Sequence, residues 1–326
     1  MREYTRSCEV DPYRSGWTLR EFLCHRFRYR PWEVWAVRIA RGALAVNGVT
    51  AAAETVVRKG DRVTYSFEHE EPEVDRRIAV LHEDEEVLVV DKPGNLPVHA
   101  GGAYISNTLI AILRERWGAD LRPAHRLDRD TSGVVVLAKS ADAARHLERE
   151  FRKRRVAKTY AALLEGRLGA EVQVDARVAR ADGGRTSRRM VDASGQPART
   201  HFVPLGYSEP PEGPVRTLVR VVPESGRTHQ IRVHAAHLGH PVAGDRLYGP
   251  PDGVPHPASH LLHCARVRVA HPSGRGMLCV QASIPDRFRV FWYGVLPWND
   301  KVPAGGAGKS STEGGRASRH AKESGL

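Results

Sequence analysis

The stretch HRLDRDTSGVVVLAKS, residues 125–140, decides how this chain is read. Its second half, Val134-Val135-Val136-Leu137-Ala138, is a short unbroken apolar run rich in β-branched residues, which predicts a strand buried on both faces. Its first half brings Arg126, Asp128, Arg129 and Asp130 to the edge of that strand, beside the hydroxyls of Thr131 and Ser132 and the glycine at 133. Charge next to a core must be paired or solvated. Folding alone gives little reason for such a loop, so it is a candidate active site. A lone aspartate in a loop is ordinarily a turn former or a cap; Asp128 differs because of its neighbours.

Working outward, IAVLHEDEEVLVVDKP reads as a hairpin-like strand pair, and NTLIAILRERWG as a helix capped by Asn107. Ser140 is placed to cap the helix ADAARHLEREFRKRR, after which KTYAALLEG returns as a strand. Further strands are expected at HFVPLGY, TLVRVVP, HCARVRVAHP and MLCVQASIP. The pattern is an α+β domain around a mostly antiparallel sheet, over about 78–293, rather than a parallel βαβ array. Upstream, about 14–66 reads as a small unit: TLREFLCHRF carries Leu19, Phe22, Leu23 and Phe27 at helical spacing, and Asn47-Gly48 between apolar runs signals a hairpin. The acidic EHEEPEVD reads as a linker, and the Gly-, Ser- and Lys-rich KVPAGGAGKSSTEGGRASRHAKESGL as a disordered tail.

With 326 residues, 41% hydrophobic and 27% charged, the chain has room for two folded units and is neither disordered nor membrane-like in composition. Its apolar runs fall short of the roughly 18 residues a spanning helix needs. The N-terminus has no apolar signal segment, and Cys8, Cys24, Cys264 and Cys279 form no CxxC pair, so a cytoplasmic protein with free thiols is expected. A net charge of +12 draws the chain to polyanions, nucleic acid above all. Ten Arg/Lys against four Asp/Glu fall between Arg14 and Arg62, so much of that excess sits in the small unit.

Three islands carry the candidate chemistry: His125 to Gly133, Lys158-Thr159-Tyr160, and Gly226-Arg227-Thr228-His229-Gln230-Ile231-Arg232-Val233-His234. In the third, Ile231, Ala235 and Leu238 recur at helical spacing with Gly239 as the stop, which puts Arg227 at the strand-to-helix junction. There it is suited to hold a guanidinium against a carboxylate from another loop; the alternative is an ordinary helix-start arginine. Tyr160 serves either a half-buried strand or a stacking platform. Arg152 to Arg155 read first as a solvated helix end, then as a phosphate contact. The clustered histidines include no HExxH or Cys/His ligand pattern, and no Walker or dinucleotide loop occurs, so neither metal nor cofactor is expected.

Together the islands resemble the RluA-type pseudouridine synthases: HRLDxxTSG is matched by 125–133, K-x-Y by Lys158 to Tyr160, and GRxHQIR by Gly226 to Arg232. The likeness runs from roughly 78 to 290, through VLVVDKP, SGQPART and GHPVAGDRLYG, with Asn95 standing where the family's loop has glycine; a turn tolerating left-handed backbone should survive that change. The unit at 14–66 looks like an S4-type RNA-binding domain, and HEEPEV with NTLI looks most like the branch that includes tRNA-modifying members. The resemblance implies a division into 1–75, an S4-like domain and linker; 76–298, the catalytic domain; and 299–326, the tail. It implies isomerisation of uridine in rRNA or tRNA without a cofactor. Asp128 would act as nucleophile or as base at the 2′ position, Arg227 would pair with it, Tyr160 would stack on the uracil, and Arg126 would fill the gap left by a flipped nucleotide. His125, Thr131, Arg154, Arg155, Lys158 and Arg232 complete the expected RNA-binding set. The partner is RNA; no membrane or metal is expected, and a monomer is assumed. The competing readings are a non-catalytic RNA-binding or ribosome-assembly protein, and a base-excising glycosylase or nucleoside hydrolase.

Overall fold

The structure is a computed structural model that describes residues 1–181, 187–250, 259–295 and 297. The chain forms β1 (Arg2–Glu9), α1 (Leu19–Arg26), α2 (Trp32–Ala40), β2 (Leu44–Val46), β3 (Val49–Thr50) and β4 (Arg62–His69) in its N-terminal unit. Their sheet order is β1-β4-β2-β3. Thr18 and Glu21 close a capping box at the start of α1, and Leu19, Phe22 and Leu23 go inward against Trp35 and Tyr65. Asn47 and Gly48 both take positive φ, 50° and 85°, as the hairpin between β2 and β3 requires. The unit begins earlier than the expected residue 14. β1 is polar on both faces and exposed along most of its length, so no alternation announces it; it is held by pairing with β4 from Arg2↔His69 to Glu9↔Arg62.

The second unit contains β5 (Ala79–Glu83), β6 (Val87–Lys92), α3 (Leu109–Trp117), β7 (Arg122–Pro123), β8 (Ser132–Ala138), α4 (Ala141–Arg152), β9 (Ala157–Glu165), β10 (Val172–Asp175), β11 (Val178–Arg180), β12 (Arg189–Val191), β13 (Arg199–Ser208), β14 (Arg216–Pro223), α5 (Gln230–His237), β15 (Leu262–Ala270), β16 (Met277–Gln281) and α6 (Arg287–Val290). Among the described residues the large sheet has ten strands in the order β10-β13-β14-β9-β15-β8-β6-β5, with β16 on β15 and β7 on β8. The expected α+β class and mostly antiparallel sheet are what is found. The β15–β8 pair is parallel, through His263↔Ser132 and Cys264↔Gly133. All of β8 is buried, as its apolar run predicts.

Gly133 has a structural reason. Its φ is +115°, and a Cβ there would lie 2.2 Å from the carbonyl oxygen of Cys264, so only glycine lets the candidate loop enter β8 beside β15. Ser140 caps α4 as expected, but α3 is capped by Thr108, whose hydroxyl accepts from the Ala111 N–H. Asn107 is turned instead to Pro72 O and Arg76. No helix among the described residues is long and apolar enough to cross a membrane. The C-terminal tail expected to be disordered lies outside the described residues.

Candidate active site

The candidate loop at 125–133 is fixed mainly through its backbone. The Thr131 N–H bonds Asp128 O at 3.2 Å, closing a turn over 128–131. Lys92, fully buried, donates to Pro93 O, Leu96 O and Arg129 O at 2.8, 2.8 and 3.0 Å, which ties the preceding loop to this turn. Burial pulls its pKa down to about 7, and three carbonyl acceptors are what make an ammonium tolerable there. Asn95 takes φ 55° at the position where glycine was expected, so that turn does survive.

Asp128 emerges from the turn with its side chain 19% exposed, and its Oδ2 accepts from Arg232 NH1 at 2.9 Å. The expected partner, Arg227, is elsewhere: its Nε donates to Pro197 O at 3.4 Å, and its backbone N–H bonds Gln230 Oε1. The reason for this correction is helix geometry. Arg227 precedes α5, whereas Arg232 lies in its first turn, and helical side chains lean toward the N-terminus. An arginine there reaches back to the loop; one in the turn before it points past.

Arg232 was expected to bind RNA, and this too is corrected. It is 5% exposed, with Nε and NH2 donating to Asp245 Oδ2 and Oδ1 at 2.6 and 2.8 Å and NH1 to Asp128. Burial opposes its charge, but the hydrogen bonds and attraction of Asp245 and then Asp128 hold its pKa above the ordinary arginine value. Asp245, fully buried, also accepts from the N–H groups of Leu247 and Tyr248, so the bidentate pair is a fixed platform from which the third guanidinium nitrogen meets Asp128. His229 stands at the head of α5 in left-handed conformation, φ 58°, with Nδ1 2.8 Å from Tyr248 Oη and Nε2 3.8 Å from Asp128 Oδ2.

Asp128 lines a cleft of about 560 Å³ with Arg126, His99, Tyr104, His229 and Leu247. It also lines a narrower pocket of about 80 Å³ that reaches Tyr160, Lys158, Arg227 and Leu262. Tyr160 is buried; burial, then the Cys264 thiol, raises its pKa well above the ordinary tyrosine value. Arg126 is exposed, makes no hydrogen bond to the described residues, and lines both cavities and a third of about 430 Å³ that also holds Arg152 and Arg154.

The remaining RNA-binding expectations divide. Arg154 and Arg155 are exposed, Arg155 within 3.8 Å of Glu150, and Lys158 is half-buried at the pocket mouth with its pKa lowered by burial. Thr131 is buried with its hydroxyl engaged by His260 Nε2 at 2.7 Å, at the edge of the narrow pocket. His125 stacks on Phe151 at 4.9 Å and accepts from the Val136 N–H; burial, then Lys158, drives its pKa to about 3, so it is a neutral structural ring. Lys92, His229, Asp245 and His260 were not among the expected site residues, although His229 lies within the third island. One signal was available: Arg232 stands between the core residues Ile231 and Val233, a place where a cation is held only by pairing. Among the described residues, the group of side chains able to share a metal ion is His82, Asp84 and His271, at the other end of the sheet.

Residues 86–237 match the family described as RNA pseudouridylate synthase. The chain is 30% identical to the ribosomal large subunit pseudouridine synthase C of Vibrio cholerae over 87% of its own length and 95% of that protein. It is 34% identical to the mitochondrial tRNA pseudouridine(32) synthase of Saccharomyces cerevisiae over 71% of its length, and spans only 50% of that relative. Among solved structures it is similar to human RNA Pseudouridylate Synthase Domain Containing 1, with a TM-score of 0.56 and 32% identity over 67% of this chain and 87% of that one.

Proposed function

The chain belongs to the RluA-type RNA pseudouridine synthases, and from that premise we propose that it isomerises uridine to pseudouridine in structured RNA, with Asp128 as the reacting carboxylate. The observation that carries this reading is the Asp128–Arg232–Asp245 arrangement opening on a cleft of about 560 Å³. A guanidinium anchored by one buried carboxylate presents the other, ready charged and aimed, to whatever enters.

The reaction breaks the N1–C1′ bond, turns the uracil and rejoins it through C5, which loses its proton while N1 gains one, with no net oxidation. An ionised Asp128 begins it either by attacking C1′ or by taking the 2′ proton to give a glycal; both routes use the same oxygen. Tyr160 forms the wall against which the detached uracil stacks, in the pocket beside Asp128. Because the target bond is inaccessible within stacked RNA, the nucleotide must be extruded, and the exposed Arg126, which has no hydrogen bond among the described residues, fills the space it leaves. Arg154, Arg155 and Lys158 meet phosphates beside the cleft. The basic N-terminal unit acts as an S4-like RNA-binding domain that carries the rest of the RNA.

The test is to incubate wild type and Asp128→Asn with in vitro transcribed, unmodified large-subunit rRNA and tRNA, and to probe each chemically for pseudouridine. Product from wild type alone is expected. Free uracil would mean that water intercepts the sugar and the protein is a glycosylase; RNA binding without product from wild type would leave a binding protein.

A further inference from the structure

The acidic stretch after β4 contains one carboxylate unlike its neighbours. Glu70 and Glu73 are exposed. Glu71, between them, accepts from the backbone N–H groups of Ile105, Ser106 and Asn107 at 2.6, 2.9 and 2.8 Å and from the Ser106 hydroxyl at 2.6 Å. The Tyr4 hydroxyl of β1 donates to it as well, and lies 2.9 Å from Ser106 Oγ. Three successive N–H groups converging on one carboxylate form an anion-holding nest. Burial works against the charge, but the donors outweigh it and take the Glu71 pKa down to about 2.

The segment held in this way is a wall of the catalytic cleft. Tyr104 lines the cleft, and its hydroxyl accepts from Arg129 NH1 at 3.2 Å; the rest of that guanidinium grips Asp130 at 2.9 Å, in the turn that carries Asp128. Further ties cross at the same place: His69 Nε2 lies 2.7 Å from Ala103 O, and Arg2 NH1 donates to Ser106 Oγ at 3.3 Å. The apparent linker is therefore docked, and its carboxylate joins β1 of the N-terminal unit to the loop 105–107, which directly follows Tyr104, the residue that meets Arg129 of the Asp128 turn.

We propose that Glu71 is a positioning residue for the catalytic cleft: through the backbone of 105–107 it fixes the wall bearing Tyr104, and through Tyr4 it makes the order of that wall depend on the N-terminal unit. The proposal rests on the isomerase reading and adds to it. RNA carried by the N-terminal unit and the uridine in the cleft are then held by one rigid connection, so that loosening Glu71 slows the chemical step more than it weakens RNA binding.

The experiment uses the full chain as wild type, Glu71→Ala, Glu71→Gln and Tyr4→Phe, with two readouts. In amide hydrogen exchange, Glu71→Ala should speed exchange at Ile105, Ser106 and Asn107 about tenfold or more while β8 is unchanged. In single turnover on the transcript that wild type modifies fastest, its rate should fall about tenfold, with the RNA dissociation constant moving less than about threefold. Glu71→Gln keeps a carbonyl acceptor and should recover part of both, and Tyr4→Phe should shift both in the same direction by less. Unchanged exchange at 105–107, exchange raised throughout the catalytic domain, or a rate loss matched by an equal loss of affinity would each overturn the proposal. If wild type makes no pseudouridine, the isomerase reading fails; the exchange arm still decides whether Glu71 anchors the wall.

Discussion

The same strands end in two carboxylates with opposite fates. At one pole, beyond the ends of β6 and β15, Asp84 accepts from four donors: the N–H groups of Glu86 and Val87 at 2.8 and 2.9 Å on Oδ1, and His82 and His271, each at 2.9 Å, on Oδ2. At the other pole, where β8 begins, Asp128 accepts one side-chain bond, from Arg232 at 2.9 Å, and its Oδ1 has no hydrogen bond among the described residues. Asp84 is saturated, and no cavity described above includes it. Asp128 has an oxygen to spare and a cleft in front of it. An acid whose acceptor sites are filled holds the chain together, whereas one left short of donors has capacity for a ligand.

The largest effect should come from Asp128→Asn, which keeps shape and removes the carboxylate proposed above to react. Turnover on RNA should drop by about 10³-fold or more, with the melting temperature nearly unchanged. Pseudouridine formed at close to the wild-type rate would erase the distinction between the two poles. Arg232→Lys comes next, because a point charge cannot serve two carboxylates in a fork geometry. Asp245 would be left buried without its bidentate partner, a loss of about 3–5 kcal/mol in denaturant unfolding, and turnover per folded molecule should fall on the order of 10²-fold.

Asp84→Asn sharpens the contrast from the other side. It should cost about 1–3 kcal/mol of stability and leave turnover per folded molecule as it was. Burial raises the Asp84 pKa, but His82, the backbone donors and His271 more than reverse this and hold it below the ordinary value. A depressed carboxylate contributes stability above its unfolded pKa, near 3.9, and loses it as pH falls toward the folded value. The stability gap between wild type and Asp84→Asn, measured by unfolding at a series of pH values, should therefore be full at pH 6 and shrink below about pH 4. A gap that stayed constant down to pH 2 would show that charge is not what Asp84 supplies.

The strands were legible because buried strands leave apolar runs, as in β6 and β8, and the helices because Ser140 and Gly239 punctuate them. β1 was not, since its side chains are polar on both faces and its place is set by a partner about 60 residues away. At the site, residue types in the three islands pointed to a carboxylate and a guanidinium, and the structure does bring Asp128 against a guanidinium at the edge of a cleft. Which arginine meets it depended on where α5 begins and on the lean of its first turn, neither of which residue spacing records. Asp245 could not be inferred from local pattern at all, because what defines it is burial beside Arg232.

Arg227→Ala should have the smallest effect, and for that reason it tests the comparison most finely. Arg227 lines the narrow pocket with Tyr160, and its Nε bond to Pro197 O is long, at 3.4 Å. It carries no part of the Arg232–Asp245 platform. Removing it takes one positive charge from the rim, which should raise KM by about two- to fivefold through weaker phosphate attraction and leave kcat within about twofold. Raising salt should shrink the difference between wild type and variant, as expected for a screened rim charge. If Arg227→Ala instead lost kcat as severely as Arg232→Lys, the turn at 225–229 would have to swing when RNA binds and bring a second guanidinium onto the spare oxygen of Asp128. The carboxylate that looks unsaturated would then be completed by the substrate complex, and its vacancy would belong to the free protein only.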